Sequence, residues 1–372
     1  MSSFFQSWPV QNCITALLGV ILAALAWRLS QREYWRLAAK ELCNNRRALV
    51  CGGILCLYAA VAVLDSIGWR NPVVDAESGL PRRDTEGRIV LDKGASMLDR
   101  LLKPLSSRRE KTYSAPLATH LYTTSTQPDA QGRPQQVHPP LNHPRSHLLG
   151  TDLIGQDVLV QCLKSIRTGL IIGLLNTLLA IPFALLFGLC AGYYGGFIDD
   201  AVQYLCTLLA SIPSVLLVAA IMVIAGRGLP QLCLAMGLAS WTGLCRLLRG
   251  EAMRLRESDF AIAATALGVP SWQIILRHLL PNVLHLVLIQ VVLRFSGEVL
   301  AEAALTYLGI GVGADTMSWG TMLNDARSEL TRTPIVWWKL CAAFGFMLAL
   351  VLPANLFGDA VRDALDPKLR TQ

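Results

Sequence analysis

The chain has 372 residues, of which 53% are apolar and only 16% charged, with a mean hydropathy of +0.44 and a formal charge of +7. A soluble protein carries about a quarter charged residues, so this deficit excludes a disordered chain, a secreted disulfide scaffold and an ordinary cytosolic enzyme. The basic balance does not mark a nucleic-acid binder either, because no basic run is interleaved with aromatics and the cations flank apolar runs.

Charged side chains are absent from residues 1–27, 48–64, 168–198, 201–226, 228–245 and 341–358. Several of these runs reach the roughly 20 residues that cross a bilayer core. The expected fold class is an all-α integral membrane protein with seven spans, at 10–27, 48–67, 169–192, 202–225, 229–246, 283–300 and 337–357. The first is read as a span and not a cleaved signal, since no Lys or Arg precedes it. The ten cysteines form no CxxC pair and lie mostly within apolar runs, so they read as small buried residues without a redox or metal role.

Orientation follows from the cations, because positively charged loops stay cytoplasmic. Arg28, Arg32, Arg36, Lys40, Arg46 and Arg47 lie between the first two spans, and Arg246, Arg249, Arg254, Arg256 and Arg277 between the fifth and sixth. Arg362, Lys368 and Arg370 follow the seventh, which puts the carboxyl terminus inside. Three regions result: 1–67 with two spans and a basic cytoplasmic loop, 68–149 as an extracytoplasmic loop, and 150–372 as a membrane core with a cytoplasmic loop at 250–282. Nine of the eighteen prolines fall in 65–149, where one short helix is expected near 95–105 and little other periodicity is present. His138, His143 and His147 stand there without an accompanying cysteine or paired acid, so they read as solvated loop histidines and no metal site is assigned.

Between the fifth and sixth spans runs RGEAMRLRESDFAIAATALGVPSWQIILRHLLPN. Ser258 is the expected N-cap of a helix over 259–267, Gly268 fits its left-handed end, and Pro270 stops it. Ser271 then caps a second helix from Trp272, which Pro281 is expected to close at the membrane. Ala261, Ala263, Ala264 and Ala266 leave little side chain, so a partner backbone can approach closely, as in helix-in-groove docking. The alternative is that alanine simply favours helix and the loop lies on the bilayer surface.

This stretch resembles the signature loop of ABC importer permeases, a Glu-Ala-Ala triplet followed by glycine and then Ile-x-Leu-Pro. Ala263, Ala264, Gly268, Leu280 and Pro281 match; Ile262 replaces the usual glutamate and His278 the usual isoleucine. The histidine resembles the dipeptide and oligopeptide (nickel) C-type branch. Four more segments resemble that branch in order. Gly150, Thr151, Asp152, Gly155 and Asp157 are similar to its GTDxxGRD segment, with Gln156 for arginine. Tyr193, Tyr194, Gly195, Gly196 and Asp199 are similar to YYGGxxD, with Ile212 and Pro213 opening the next span. Glu302, Ala303, Ala304, Leu305, Leu308, Gly309 and Gly311 resemble EAxLSFLGxG, and Asn355, Gly358, Asp359, Arg362, Asp363, Asp366 and Pro367 resemble the NxxGDxxRDxxDP tail.

The resemblance implies a type I importer permease core in a bacterial cytoplasmic membrane. It implies as partners a second homologous permease subunit, two ATP-binding subunits and an extracytoplasmic peptide-binding protein, with lipid around them and ATP and Mg held by the ATPases. The chain has no GxxxxGK[ST] loop, in keeping with a subunit that is not itself an enzyme. Arg294, Glu298 and Glu302 share one face of the sixth span and read either as lining the translocation pathway or as an internal ion pair plus a separate residue near the external interface. Asp152 and Asp157 read as capping and orienting a short helix before the bundle, in preference to acid-base work. A proton-driven secondary transporter with Glu298 or Glu302 as relay, and a non-transporting membrane scaffold, stand as alternative classes.

Overall fold

The computed structural model describes residue 12 and residues 33–69, 94–128, 134–313 and 315–365, so the expected span at 10–27 lies outside the described residues. Five described helices are long and apolar enough to cross a membrane. They are α2 (Arg46–Ser66), α5 (Val158–Tyr194), α8 (Leu229–Arg256), the run Ser271–Tyr307 and α13 (Trp338–Leu365). The shorter α1 (Glu33–Asn44) precedes α2, and α12 (Trp319–Glu329) precedes α13.

The expected span at 202–225 is not one straight helix. It is α6 (Gly196–Ser211) and α7 (Ser214–Ala225), bent by 89°. Pro213 supplies no N–H, and its ring forces Ile212 into extended backbone (φ −92°, ψ 128°), which ends α6. Counting the bent pair as one gives up to six spans among the described residues.

Two compact units are present, and each has its own interior. The larger, residues 41–54, 168–324 and 347–365, holds most of the membrane bundle. Its core joins α5 and α8: Ala180, Ala184, Leu189, Trp241, Leu244, Cys245 and Leu248 are buried together. The glycines make this contact possible. A Cβ on Gly188 would lie 2.7 Å from Cys245 O, and one on Gly192 would lie 2.5 Å from Arg249 O and 2.6 Å from Ala252 Cβ. Gly188 and Gly192 thus form a GxxxG pair across which two helix backbones nearly touch.

The second unit comprises, among the described residues, residue 12, residues 33–40, those within 55–167, and 325–346. The helix expected near 95–105 is present as α3 (Met97–Leu101) and α4 (Lys103–Ser106). Ser96 caps α3 in a reciprocal capping box with Asp99. Two short ladders were not visible in the sequence, β1 (Gly68–Trp69) with β2 (Ala95–Ser96), and β3 (Ser125–Pro128) with β4 (Pro134–Val137). The latter pair is Ser, Thr, Gln and Pro throughout apart from Val137, so no apolar alternation announces it.

This unit is held by buried polar contacts. Trp338 Nε1 donates to Thr151 O (2.9 Å), and Lys339 Nζ lies 3.0 Å from Asp325 Oδ2 and 3.7 Å from Glu329 Oε1. Burial pushes the Tyr113 hydroxyl up to about 12, helped by the neighbouring Glu329 charge. Burial also works against ionisation of Asp99, but the Lys164 ammonium at 2.7 Å and the Ser96 N–H together hold this carboxyl below the usual carboxylate range. A depressed pKa contributes stability above the unfolded-state value that is lost as pH falls through the folded one. Thermal unfolding of the detergent-purified protein should therefore lose stability on acidification below the ordinary aspartate pKa, and Asp99→Asn should flatten that acid limb. An unchanged acid limb in Asp99→Asn would assign it to other carboxylates.

Candidate functional site

The segment that resembles the permease signature is built at one end of the α5–α8 pair. The turn Tyr193–Gly196 needs two left-handed residues, Gly195 (φ 66°) and Gly196 (φ 53°), to reverse the chain between α5 and α6. Arg249 on α8 grips Asp199 on α6 through a two-pronged ion pair, with Nη2 to Oδ2 at 2.6 Å. Two turns further along the same face of α8, Arg256 Nη1 donates to Tyr193 O (3.2 Å). The end of α8 is thereby fixed where the loop begins.

α9 (Asp259–Ala266) follows after one residue in extended backbone, Ser258. Ser258 stands at the expected N-cap, but its hydroxyl donates back to Leu255 O and accepts from no N–H of the first turn, so the cap position is right and the cap bond is absent. The far end matches expectation closely. Gly268 has φ 75°, its N–H donates to Thr265 O (3.0 Å), and Val269 N–H donates to Ala264 O (3.1 Å), the paired bonds of a Schellman motif. No atom lies within 4 Å of a Cβ placed on Gly268, so its requirement is conformational and not steric. Gly268→Ala is expected to destabilise the loop by about 1 kcal/mol and Gly268→Asn by less, as read by thermal unfolding or protease sensitivity. Equal behaviour of both variants and the parent would contradict the left-handed requirement.

α9 has two unlike faces. Ala261 and Ala264 are buried, Ala264 within the core that also contains Ile274, Ile275, Leu279 and Val283. Phe260, Ile262, Ala263 and Leu267 are exposed, Leu267 to 83%. Phe260 also lies against the ring of His278, with centroids 6.2 Å apart. Small residues therefore serve close approach on the inner side, against this chain's own helices, while the outward surface is apolar and larger.

Pro281 does not close the second helix. α10 (Ser271–Ile274) opens at Pro270, passes through a π turn at Ile275–Leu279 and continues as α11 (Leu280–Tyr307). Proline in the first turn of α11 costs little, and the wide π turn before it takes up the change in hydrogen bonding. Leu280 packs against the core while Pro281 is exposed, so the five signature residues Ala263, Ala264, Gly268, Leu280 and Pro281 do not form one patch.

The remaining candidates are dispersed. Arg294 Nη2 donates to Ser240 O (2.6 Å) and lies 3.8 Å from Glu298 Oε1, while Glu298 also accepts from Asn176. Glu302 is fully buried and accepts from Thr306 Oγ1 (2.9 Å), beside Gly320, whose Cβ would meet Thr306 and Ala303. Arg294 and Glu298 form an internal pair, and Glu302 faces the packed turn after α11.

Asp152 and Asp157 do not frame a separate short helix. Asp152 Oδ1 accepts from the N–H groups of Ile154 (3.1 Å) and Gln156 (2.8 Å), closing a turn, and Asp157 accepts from Leu159 N–H (2.8 Å) at the start of the long α5. His147 is buried with Nδ1 2.9 Å from Asp157 Oδ2, unlike the solvated residue expected. His138 contacts Leu121 O, and His143 is exposed. Among the described residues no cluster of three metal-ligating side chains forms.

The GxxxG pair at Gly188 and Gly192, and the Arg249–Asp199 clamp, were missed as site-building elements. The four-residue glycine spacing could have revealed the first; the second needed the tertiary crossing.

Residues 184–371 match the family model described as binding-protein-dependent transport system inner membrane component. The chain is 33% identical over 226 residues to an oligopeptide transport system permease of Bacillus subtilis, covering 61% of this chain and 73% of the relative. It is 37% identical over 225 residues to a dipeptide transport system permease of Alkalihalophilus pseudofirmus, covering 60% and 73%. It is 33% identical over 226 residues to a glutathione transport system permease of Pectobacterium atrosepticum, covering 61% and 74%. With half its length in the family model and the membrane bundle in place, the chain belongs to the binding-protein-dependent transport system inner membrane components, the permease subunits of ABC importers.

Proposed function

We propose that this chain forms half of the translocation pathway of an ATP-driven importer of di- or oligopeptides. A second homologous permease supplies the other half, two cytosolic ATPases hold the ATP and Mg, and an extracytoplasmic binding protein delivers the peptide. The observation that carries this reading is the two-faced α9, rooted in the bundle by Ala261 and Ala264 while Phe260, Ile262, Ala263 and Leu267 face outward. A rigid, capped helix with an apolar outer surface suits a groove on the ATPase. Movement of the ATPase pair on binding nucleotide would then be passed through α10 and the π turn into α11. In this reading residues 250–282 are cytoplasmic, as is the carboxyl terminus, residues 1–67 precede the core of 150–372, and the loop at 68–149 is extracytoplasmic.

The test is uptake of labelled peptides by a strain deleted for this subunit and complemented with it, together with copurification of the ATPase. ATP-dependent uptake that requires this chain supports the proposal. Uptake driven by a proton gradient without an associated ATPase would overturn it in favour of a secondary transporter.

A further inference from the structure

Where α2 leaves the membrane, the chain is stitched back onto it. Ser96 Oγ donates to Asp65 Oδ1 (2.8 Å), Met97 N–H donates to Ile67 O (2.8 Å), and β1 pairs with β2 through Gly68 and Ser96. The ion pair of Asp99 with Lys164 ties α3 to the first turns of α5 as well. The uncharged run of α2 ends at Leu64 and that of α5 begins at Thr168, so α3, tied to Asp65 and Lys164, stands beside the apolar limits of both helices, whichever side is inside.

The residues carried at that height have the composition of a membrane boundary. Trp69 is 41% exposed, and the Arg100 guanidinium stacks 3.8 Å above its ring. Met97 and Leu101, one turn apart on α3, are exposed, while Leu98 is buried within the unit. Lys103, Arg108 and Arg109 follow directly and are exposed. The acids among them are already engaged: Asp99 in the pair with Lys164, and Glu110, buried, accepting from the N–H groups of Asn142 and His143. Apolar knobs, an amphipathic aromatic and a cationic fringe thus stand together at the level of the lipid headgroups.

We infer that α3 and α4 lie on the bilayer as an interfacial foot, with Trp69, Met97 and Leu101 entering the acyl boundary and Lys103, Arg108 and Arg109 facing anionic phospholipid headgroups. An acidic protein surface could use the cations but gives no reason for exposed Met97 and Leu101 beside two span ends, whereas a membrane surface uses both. The foot does not depend on which solute is carried.

The full-length chain, reconstituted in phosphatidylcholine brominated high on its acyl chains, should lose fluorescence, and Trp69→Phe should remove part of that quenching. Equal quenching in parent and Trp69→Phe would overturn the placement of Trp69. In vesicles of equimolar phosphatidylcholine and phosphatidylglycerol, spin-labelled phosphatidylglycerol should associate preferentially with the parent. Combined Lys103→Glu, Arg108→Glu and Arg109→Glu should reduce that preference at least about fivefold, the effect expected of even one basic residue at an anionic surface. Arg145→Glu, an exposed cation of the same unit, should not. Retained preference in the triple variant would overturn the inference. So would an unchanged lipid preference accompanied by lost capture of an acidic soluble binding protein, which would make this a protein-docking surface.

Discussion

Leu267→Asp is expected to leave the protein folded and abolish peptide uptake. Leu267, the C-cap residue just past α9, is 83% exposed and takes no part in the buried core, so the substitution should change stability by no more than about 0.5 kcal/mol. If the ATPase groove buries this side chain, an aspartate there strands a charge at the centre of the contact, a loss of about 2 kcal/mol or more, or roughly thirtyfold in affinity. ATPase copurification and labelled-peptide uptake should fall together. Ala264→Trp provides the contrast: Ala264 lies within the core, so overpacking should lower thermal stability by about 1–3 kcal/mol before any partner is involved. Normal uptake and normal ATPase capture by Leu267→Asp would remove α9 from the coupling role.

Gly192→Leu should be the most damaging single change in the bundle. Even an alanine Cβ there would sit 2.5 Å from a backbone oxygen of α8, and the added isobutyl group has nowhere to go without separating α5 from α8. Loss of that crossing exposes the packing around Leu244, Cys245 and Leu248 and pulls Arg249 from Asp199, at a cost of about 3 kcal/mol or more. Gly250→Ala on the same α8 is the control, since its Cβ meets nothing within 4 Å. Membrane yield and thermal unfolding should collapse for Gly192→Leu and hold for Gly250→Ala. Similar melting of the two would show that the close approach is dispensable.

What could be read in advance was local or periodic. Long uncharged runs announce spans because an unpaired charge is costly in hydrocarbon, and Gly268 announces a helix end because its left-handed backbone is a property of one residue and its neighbours. What could not be read depends on partners distant in the chain. The alanines of α9 read in the sequence as one surface, yet which of them faces inward is decided by Ile274, Ile275 and Leu279. Pro281 reads as a stop because proline usually is one; the π turn that lets the helix run through it carries no sequence mark. His147 looks like any loop histidine until Asp157 is folded against it.

The break at Ile212–Pro213 has a consequence for how this polypeptide can exist in a bilayer. α6 has 16 residues, about 24 Å, which falls short of the roughly 30 Å slab of hydrocarbon. Starting at the turn that follows α5, it stops before clearing that slab, and Ile212 is exposed where it stops. Beyond the two donors that the chain supplies itself, Ser211 Oγ to Leu208 O and Ile212 N–H to Leu209 O, oil offers none for the carbonyls at such an end. A solitary copy surrounded by lipid would be left thirsty at this spot, so either a companion chain or a filament of solvent must reach it.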